Sequence, residues 1–167
     1  MTLIDDKWAQ ASWLGAPVDA GAGSGEGPLP DGRGAARDYQ NGSIYWSPQS
    51  GAHEVHGDIR VLYARHGGAG GFLGYPVTDE LGTPDGVGRY NHFEGGSIYW
   101  TPRTGPHEVH GAIRDLWAST GWENGYLGYP VSDETGPPDN RASRFDHGHV
   151  TWTPAGGAVA HRGGTID

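Results

Sequence analysis

The chain has 167 residues, 31 of them Gly and 12 Pro, with only 35% hydrophobic residues yet 7 Trp and 8 Tyr. A formal charge of −9, with the few Lys and Arg scattered, excludes the basic footprint of a nucleic-acid or anionic-membrane surface. The lack of Cys excludes a disulfide framework and a thiolate metal site, and no stretch nears the ~20 apolar residues of a membrane span.

Residues 1–8 have neither the basic nor the apolar segment of a secretory signal. Either the protein stays inside the cell, or these residues belong to a longer exported parent. Ile4, Lys7 and Trp8 stand at i, i+3 and i+4, followed by Ala9. The pattern returns as Ile59, Leu62, Tyr63, Ala64 and as Ile113, Leu116, Trp117, Ala118. That spacing predicts a two-turn helix in each place, closed by Gly67-Gly68 and by Gly121 in the later two. Next come Leu14-Gly15-Ala16-Pro17-Val18-Asp19, Leu73-Gly74-Tyr75-Pro76-Val77-Thr78-Asp79-Glu80 and Leu127-Gly128-Tyr129-Pro130-Val131-Ser132-Asp133-Glu134. Glycine lets the backbone turn and the residue before proline is extended, which predicts a turn entering a short strand. Gly/Pro-rich loops follow, longest at 21–34.

A strand carrying Tyr39, Phe93 or Phe145 then leads through a Gly-rich hairpin into Ser43-Ile44-Tyr45-Trp46, Ser97-Ile98-Tyr99-Trp100 or the worn His149-Val150-Thr151-Trp152. Period two puts Ile44 and Trp46 on one face and Ser43, Tyr45 and Ser47 on the other. The tryptophans Trp46, Trp100 and Trp152 lie 54 and 52 residues apart. Such periodicity marks units that cannot each bury an apolar face alone. The expected fold is mainly β: one repeat domain of three tandem copies at about 1–56, 57–110 and 111–167. Each copy is a short helix plus a small three- to four-stranded antiparallel unit.

The Leu-Gly-Tyr-Pro-Val-x-Asp-Glu element followed by Phe-Glu-Gly-Gly-Ser-Ile-Tyr-Trp resembles the LGFP repeat family over nearly the whole chain. The resemblance implies four-stranded β units in series, appended to actinobacterial envelope enzymes such as mycoloyltransferases and wall hydrolases. It further implies a glycan-binding or wall-anchoring role on peptidoglycan–arabinogalactan, without chemistry of its own. Tyr75, Tyr129 and Ala16 stand for the signature phenylalanine. Copy one has Asp19-Ala20 in place of Asp-Glu, and copy three has Thr151 in place of tyrosine.

Trp46, Trp100 and Trp152 are expected in the core, where an aromatic buries ~150–250 Å2, rather than as sugar platforms. Tyr45 and Tyr99, beside serine on the more polar face, are either exposed rings for stacking on a sugar or an ordinary half-buried sheet surface. In His-Glu-Val-His, the pair His53 and His56 is three apart, whereas the metalloprotease helix needs four, so no metal is expected. His56, His110 and His161 read as recurrent structural hydrogen bonds, leaving His53 and His107 freer for a ligand. Asp79-Glu80 and Asp133-Glu134 point apart on a strand, unlike glycosidase carboxylates facing each other about 5–9.5 Å apart. They suit a turn or cap, with a salt bridge to Arg60 or Arg114. Arg89 and Arg141 pair with these acids or reach a sugar hydroxyl. No phosphate loop or Gly-x-Ser-x-Gly elbow is present; Gly23-Ser24-Gly25 is loop composition.

An active site is one asymmetric constellation, whereas these polar groups are copied. The expected function is a non-catalytic module without cofactor that binds cell-wall polysaccharide in shallow clefts beside Tyr99 and His107. Tyr45, His53, Arg89, Asp79, Glu80, Asp133 and Glu134 are the remaining candidates. A protein-interaction or scaffold module without glycan binding is the alternative, and a glycan-cleaving enzyme the third reading. Besides the polysaccharide, the expected partners are a protein or a neighbouring catalytic domain. The resemblance points to the cell envelope, while the opening residues leave a cytoplasmic location open.

Overall fold

Each copy begins with a short amphipathic helix, and the computed structural model describes these and the sheets between them over residues 2–18 and 27–163. Helix α1 (Leu3–Gln10) opens on a capping box: the Asp5 amide donates to Thr2 Oγ1 and the Thr2 amide to Asp5 Oδ2, both at 3.1 Å. Helices α2 (Gly57–Arg65) and α3 (Gly111–Ser119) follow the preceding strand with no loop. That sharp strand-to-helix corner needs φ near +60° at Gly57 and Gly111, which only glycine adopts without strain. Gly67 and Gly121, at φ +91° and +109°, end the two helices as expected.

Copy one forms an antiparallel sheet of β1 (Gly27–Pro28), β2 (Ala35–Tyr39), β3 (Gly42–Ser47) and β4 (Gly51–Val55) in sequence order. Copy two repeats it with β5 (Leu81–Gly82), β6 (Arg89–Phe93), β7 (Gly96–Thr101) and β8 (Gly105–His110). Copy three keeps β9 (Arg141–Phe145), β10 (Gly148–Thr153) and β11 (Gly157–Arg162), with a single bridge from Thr135 to Ala142 in place of the two-residue edge strand. The mainly β, three-copy architecture expected from the sequence is the one observed. The Leu-Gly-x-Pro element is less than a strand: Pro17, Pro76 and Pro130 each make one bridge, to Tyr39, Phe93 and Phe145. Proline has no N–H to extend the ladder. The Asp19-Ala20 variation and the Gly23-Ser24-Gly25 stretch lie outside the described residues.

The layers alternate. Helix α1 packs on the first sheet through Ile4, Leu14, Tyr39 and Ile44. Helix α2 is shared, because Ile59, Leu62 and Tyr63 meet Ile98 and Phe93 of their own sheet and also Val55 and Tyr45 from the back of the preceding one. Helix α3 does the same with Ile113 and Trp117, joining Val150 and Phe145 to Tyr99 and Val109. Sheets one and two are thus covered on both faces.

This sandwiching overturns the simple inside–outside assignment made from period two. Ile44, Ile98 and Val150 are fully buried, but Trp46, Trp100 and Trp152 flank their clusters half-buried. Tyr99, expected on a polar outer face, is only 3% exposed: its ring stacks on Tyr90 at 4.8 Å and meets Trp117 edge-on at 4.8 Å. Period two sorts residues between two faces, but it does not say that the second face meets water.

Candidate functional site

The polar motifs that sequence reasoning set aside for ligands meet each other at the boundaries between copies. At the first boundary Asp79, just beyond the Leu-Gly-Tyr-Pro turn, receives three groups from copy one. His53 Nδ1 lies 3.2 Å from Asp79 Oδ1, the Glu54 amide donates to that oxygen at 3.3 Å, and Lys7 of α1 forms an ion pair with the other. The remaining nitrogen of His53 faces the Ser50 carbonyl at 2.8 Å. Glu54, 4% exposed, accepts from the Glu80 amide at 2.9 Å and contacts His56 Nδ1 at 2.7 Å. His56 Nε2 then lies 2.9 Å from Glu80 Oε2, to which Arg89 Nε also donates at 3.0 Å.

The second boundary repeats this almost atom for atom. Asp133 meets His107 Nδ1 at 3.2 Å, the Glu108 amide at 3.1 Å and His66 Nε2 at 3.6 Å. Glu108 accepts from the Glu134 amide at 2.9 Å and contacts His110 at 2.6 Å; Glu134 in turn pairs with His110 at 3.3 Å and Arg141 at 2.8 Å. Hydrogen bonds to Glu54 and then Glu80 hold His56 protonated, pushing it up to about 9, and Glu108 raises His110 in the same sense. Burial works against ionised Asp79, but His53, Lys7 and the Glu54 amide outweigh it and take its carboxyl down to about 2. A charge as buried as Glu54 or Glu108 is tolerable only when paired and hydrogen-bonded in this way.

The aromatic of the Leu-Gly-Tyr-Pro turn reaches back across the same boundary. Tyr75 Oη donates to the Asp31 carboxylate at 2.9 Å, and Tyr129 Oη lies 2.7 and 2.8 Å from the Asp85 oxygens and 2.8 Å from Thr83 Oγ1. The rings lie over Gly34 and Gly88, where an added Cβ would come within 2.9 and 2.8 Å of the tyrosine carbons. The departure from the signature phenylalanine therefore adds a hydroxyl with a partner in the preceding copy.

His53, His107, Asp79, Glu80, Asp133, Glu134 and Arg89 are thus brought together, but by one another rather than around an open cleft. His53 and His107, expected to be free, have both ring nitrogens engaged. Arg60 and Arg114 do not reach the Asp-Glu pairs; they donate to Ser43 and Ser97 on the back of the preceding sheet. Arg89 and Arg141 do pair with those acids, as expected. Tyr99 is buried and presents no ring face to solvent. Tyr45 lines a shallow recess with Asp38, Arg60, Val61, Ala64 and Arg65; the matching space at the second boundary holds Trp122, which stacks near Tyr99 and lies under Arg114. Among the described residues no three His, Asp or Glu side chains converge on a point where a metal ion could sit.

The strand register also corrects one equivalence. His110 pairs with Gly96, and Arg162 pairs with Gly148, so Arg162 takes the place of His56 and His110 while His161 takes that of Val109. Copy three differs at three further positions that meet the next copy in copies one and two: Val159 stands for His107, Ala160 for Glu108 and Thr151 for Tyr99. Its sheet presents instead a polar outer face with Arg144, Thr151 and His161.

These two matching boundaries tie the motif residues to one repeated architecture, and a family model described as LGFP repeat matches residues 14–71, 73–125 and 127–167. The chain belongs to the LGFP repeat family. No curated protein matches it in sequence. The family frames start at the Leu-Gly turn rather than at the helix, which places α2 and α3 at the ends of the first and second LGFP units. This membership makes the chain a repeat module of a kind associated with the cell envelope. No helix among its described residues is long and apolar enough to cross a membrane.

Sequence reasoning missed one further set of LGFP positions. The residue just before each Leu-Gly is a large aromatic, and Trp13, Phe72 and Tyr126 are 50%, 46% and 37% exposed. The signal was present as Trp-Leu-Gly, Phe-Leu-Gly and Tyr-Leu-Gly, but three different aromatics conceal the recurrence from a search for identical motifs.

Proposed function

We propose that this LGFP chain is a non-catalytic module that holds itself, or a protein it is joined to, against cell-wall polysaccharide by offering similar shallow surfaces side by side. The observation that carries this reading is the duplication of the boundary chemistry. The recurrent acids and histidines are committed to holding copy to copy, and Arg60 and Arg114 donate across the same seams. What recurs and stays open to solvent is surface rather than a convergent set of acid, base and nucleophile. Several weak surfaces fixed on one frame suit a repeating polymer, because linked sites gain ~100- to 10,000-fold in avidity without any stronger single contact.

The test is co-sedimentation of the purified chain with de-lipidated actinobacterial wall, arabinogalactan–peptidoglycan, alongside an assay for released sugar. Binding without release supports the reading. Release of oligosaccharide by the chain, or capture of a protein partner with no retention on the wall, overturns it.

A further inference from the structure

The exposed aromatics are not isolated accidents of the surface. Each is set against the residue at, or just beyond, the end of the last strand of its own copy. Trp13 meets the His56 ring edge-on at 4.5 Å, Phe72 meets His110 at 4.6 Å, and Arg162 lies over the Tyr126 ring at 4.1 Å. His56 is fixed by Glu54 and Glu80, and His110 by Glu108 and Glu134, so the props under the first two rings are held by the boundaries themselves. A platform whose support is already ordered loses little freedom when it binds. Around Trp13 the shallow floor carries Gln40, Asn41, Asp58 and Arg60, a mixture of hydrogen-bond donors and acceptors. Glu94 occupies the corresponding rim near Phe72.

Three rings, one per copy and flanked by polar groups, do not make the contiguous apolar patch that a protein interface or membrane surface would use. An amphipathic ring with amides and charges at its edge instead matches a sugar, which has an apolar C–H face and a hydroxyl rim. The chain's charge of −9 disfavours an acidic polymer, and beside the first two rings each carboxylate has a guanidinium with it, Asp58 with Arg60 at Trp13 and Glu94 paired with Arg33 at Phe72.

We infer that Trp13, Phe72 and Tyr126 form a row of stacking platforms for a neutral polysaccharide chain, one sugar contact per copy. This deepens the function proposed above and rests on it. The row also separates two duties that look merged in the sequence: His56 and His110 join copies through their carboxylate partners and prop the binding ring with the face of the same imidazole.

The experiment measures binding of soluble arabinogalactan, with peptidoglycan fragments as a second arm. It uses the intact chain and its Trp13→Ala, Phe72→Ala and Tyr126→Ala variants, singly and combined, with thermal unfolding to confirm the fold. Because the rings are exposed, the fold is expected to persist. Each single change should weaken arabinogalactan binding several-fold and the triple change by ~100-fold or more, as expected when linked sites are lost together. Trp13→Phe should retain most of the binding. Independently, in the intact chain, polysaccharide should protect Trp13 from tryptophan-selective oxidation, read by peptide mass spectrometry. If the intact chain binds arabinogalactan and the triple variant binds within twofold of it, or Trp13 oxidises at an unchanged rate, the row is wrong while the wall-binding function stands. Stronger retention by the peptidoglycan arm overturns the assignment to a neutral polymer. If the intact chain binds neither polysaccharide, the function itself falls and the row with it.

Discussion

Replacing Tyr129 by Phe removes one oxygen and nothing else from the second boundary. That oxygen makes contacts of 2.7 and 2.8 Å to Asp85 and 2.8 Å to Thr83, while the ring is 7% exposed. A hydrogen bond to a charged acceptor contributes ~1.5–3 kcal/mol; because Asp85 lies open to water and rehydrates when the hydroxyl is gone, the lower part of that range applies. The expected cost is ~1.5–2 kcal/mol, which moves the urea midpoint down by roughly 0.75–1 M at an m-value of about 2 kcal/mol/M. A double-mutant cycle with Asp85→Ala isolates the pair, and its coupling energy should be ~1 kcal/mol. Measured by circular dichroism in urea at neutral pH, a midpoint unchanged in Tyr129→Phe, or a coupling near zero, would refute the claim that this hydroxyl ties copy three to copy two. The signature phenylalanine would then be an equivalent choice. Tyr75→Phe should show a smaller effect, since its bonds to Asp31 are longer, at 2.9 and 3.0 Å.

Other consequences of the boundary chemistry can be measured on the same protein. Gly34→Ala should destabilise by ~2 kcal/mol or more, because its Cβ would meet the Trp46 carbonyl oxygen at 2.0 Å, whereas Gly70→Ala, with open space around it, should be near neutral in the same urea titration. Trp117→Ala should cost ~3–5 kcal/mol, since this fully buried indole packs sheet two to sheet three and donates to the Gly128 carbonyl at 3.0 Å. Stability should peak near pH 6.5. His56 binds its proton more tightly when folded, so its contribution is complete below 6.5 and is lost as pH rises through about 9. With its ring partly open to solvent, that contribution is ~1–2 kcal/mol after screening. Burial and the nearby Arg114 guanidinium take His92 down to about 4, so its contribution is complete above 6.5 and fades as pH falls toward 4. Chemical denaturation across pH 4–10 checks both limbs. A Glu54→Gln variant that keeps the full alkaline loss would contradict the assignment of that limb to His56.

Much of the organisation was legible in the residues. The recurrence of Ser-Ile-Tyr-Trp and Leu-Gly-Tyr-Pro marks three copies, and the i, i+3, i+4 spacing of Ile59, Leu62 and Tyr63 marks a helix, because these patterns express the periods of 3.6 and two that local backbone geometry imposes. The pairing of Arg89 with Glu80 and of Arg141 with Glu134 was also readable, since matched positions in a repeat travel together. The candidate site was not. His53 and Asp79 are 26 positions apart, and local reasoning treated them as separate chances for a ligand. The structure shows each to be the other's partner.

The sequence alone determined that one unit recurs, which elements it contains and which face of each helix is apolar, because those depend on neighbours within a few residues. Only the tertiary structure decided that α2 and α3 each serve two sheets, which buries Tyr99 and commits the paired histidines and carboxylates to the seams. A sheet's second face is assigned to water or to protein by what packs against it, and that packing partner lies in the following copy.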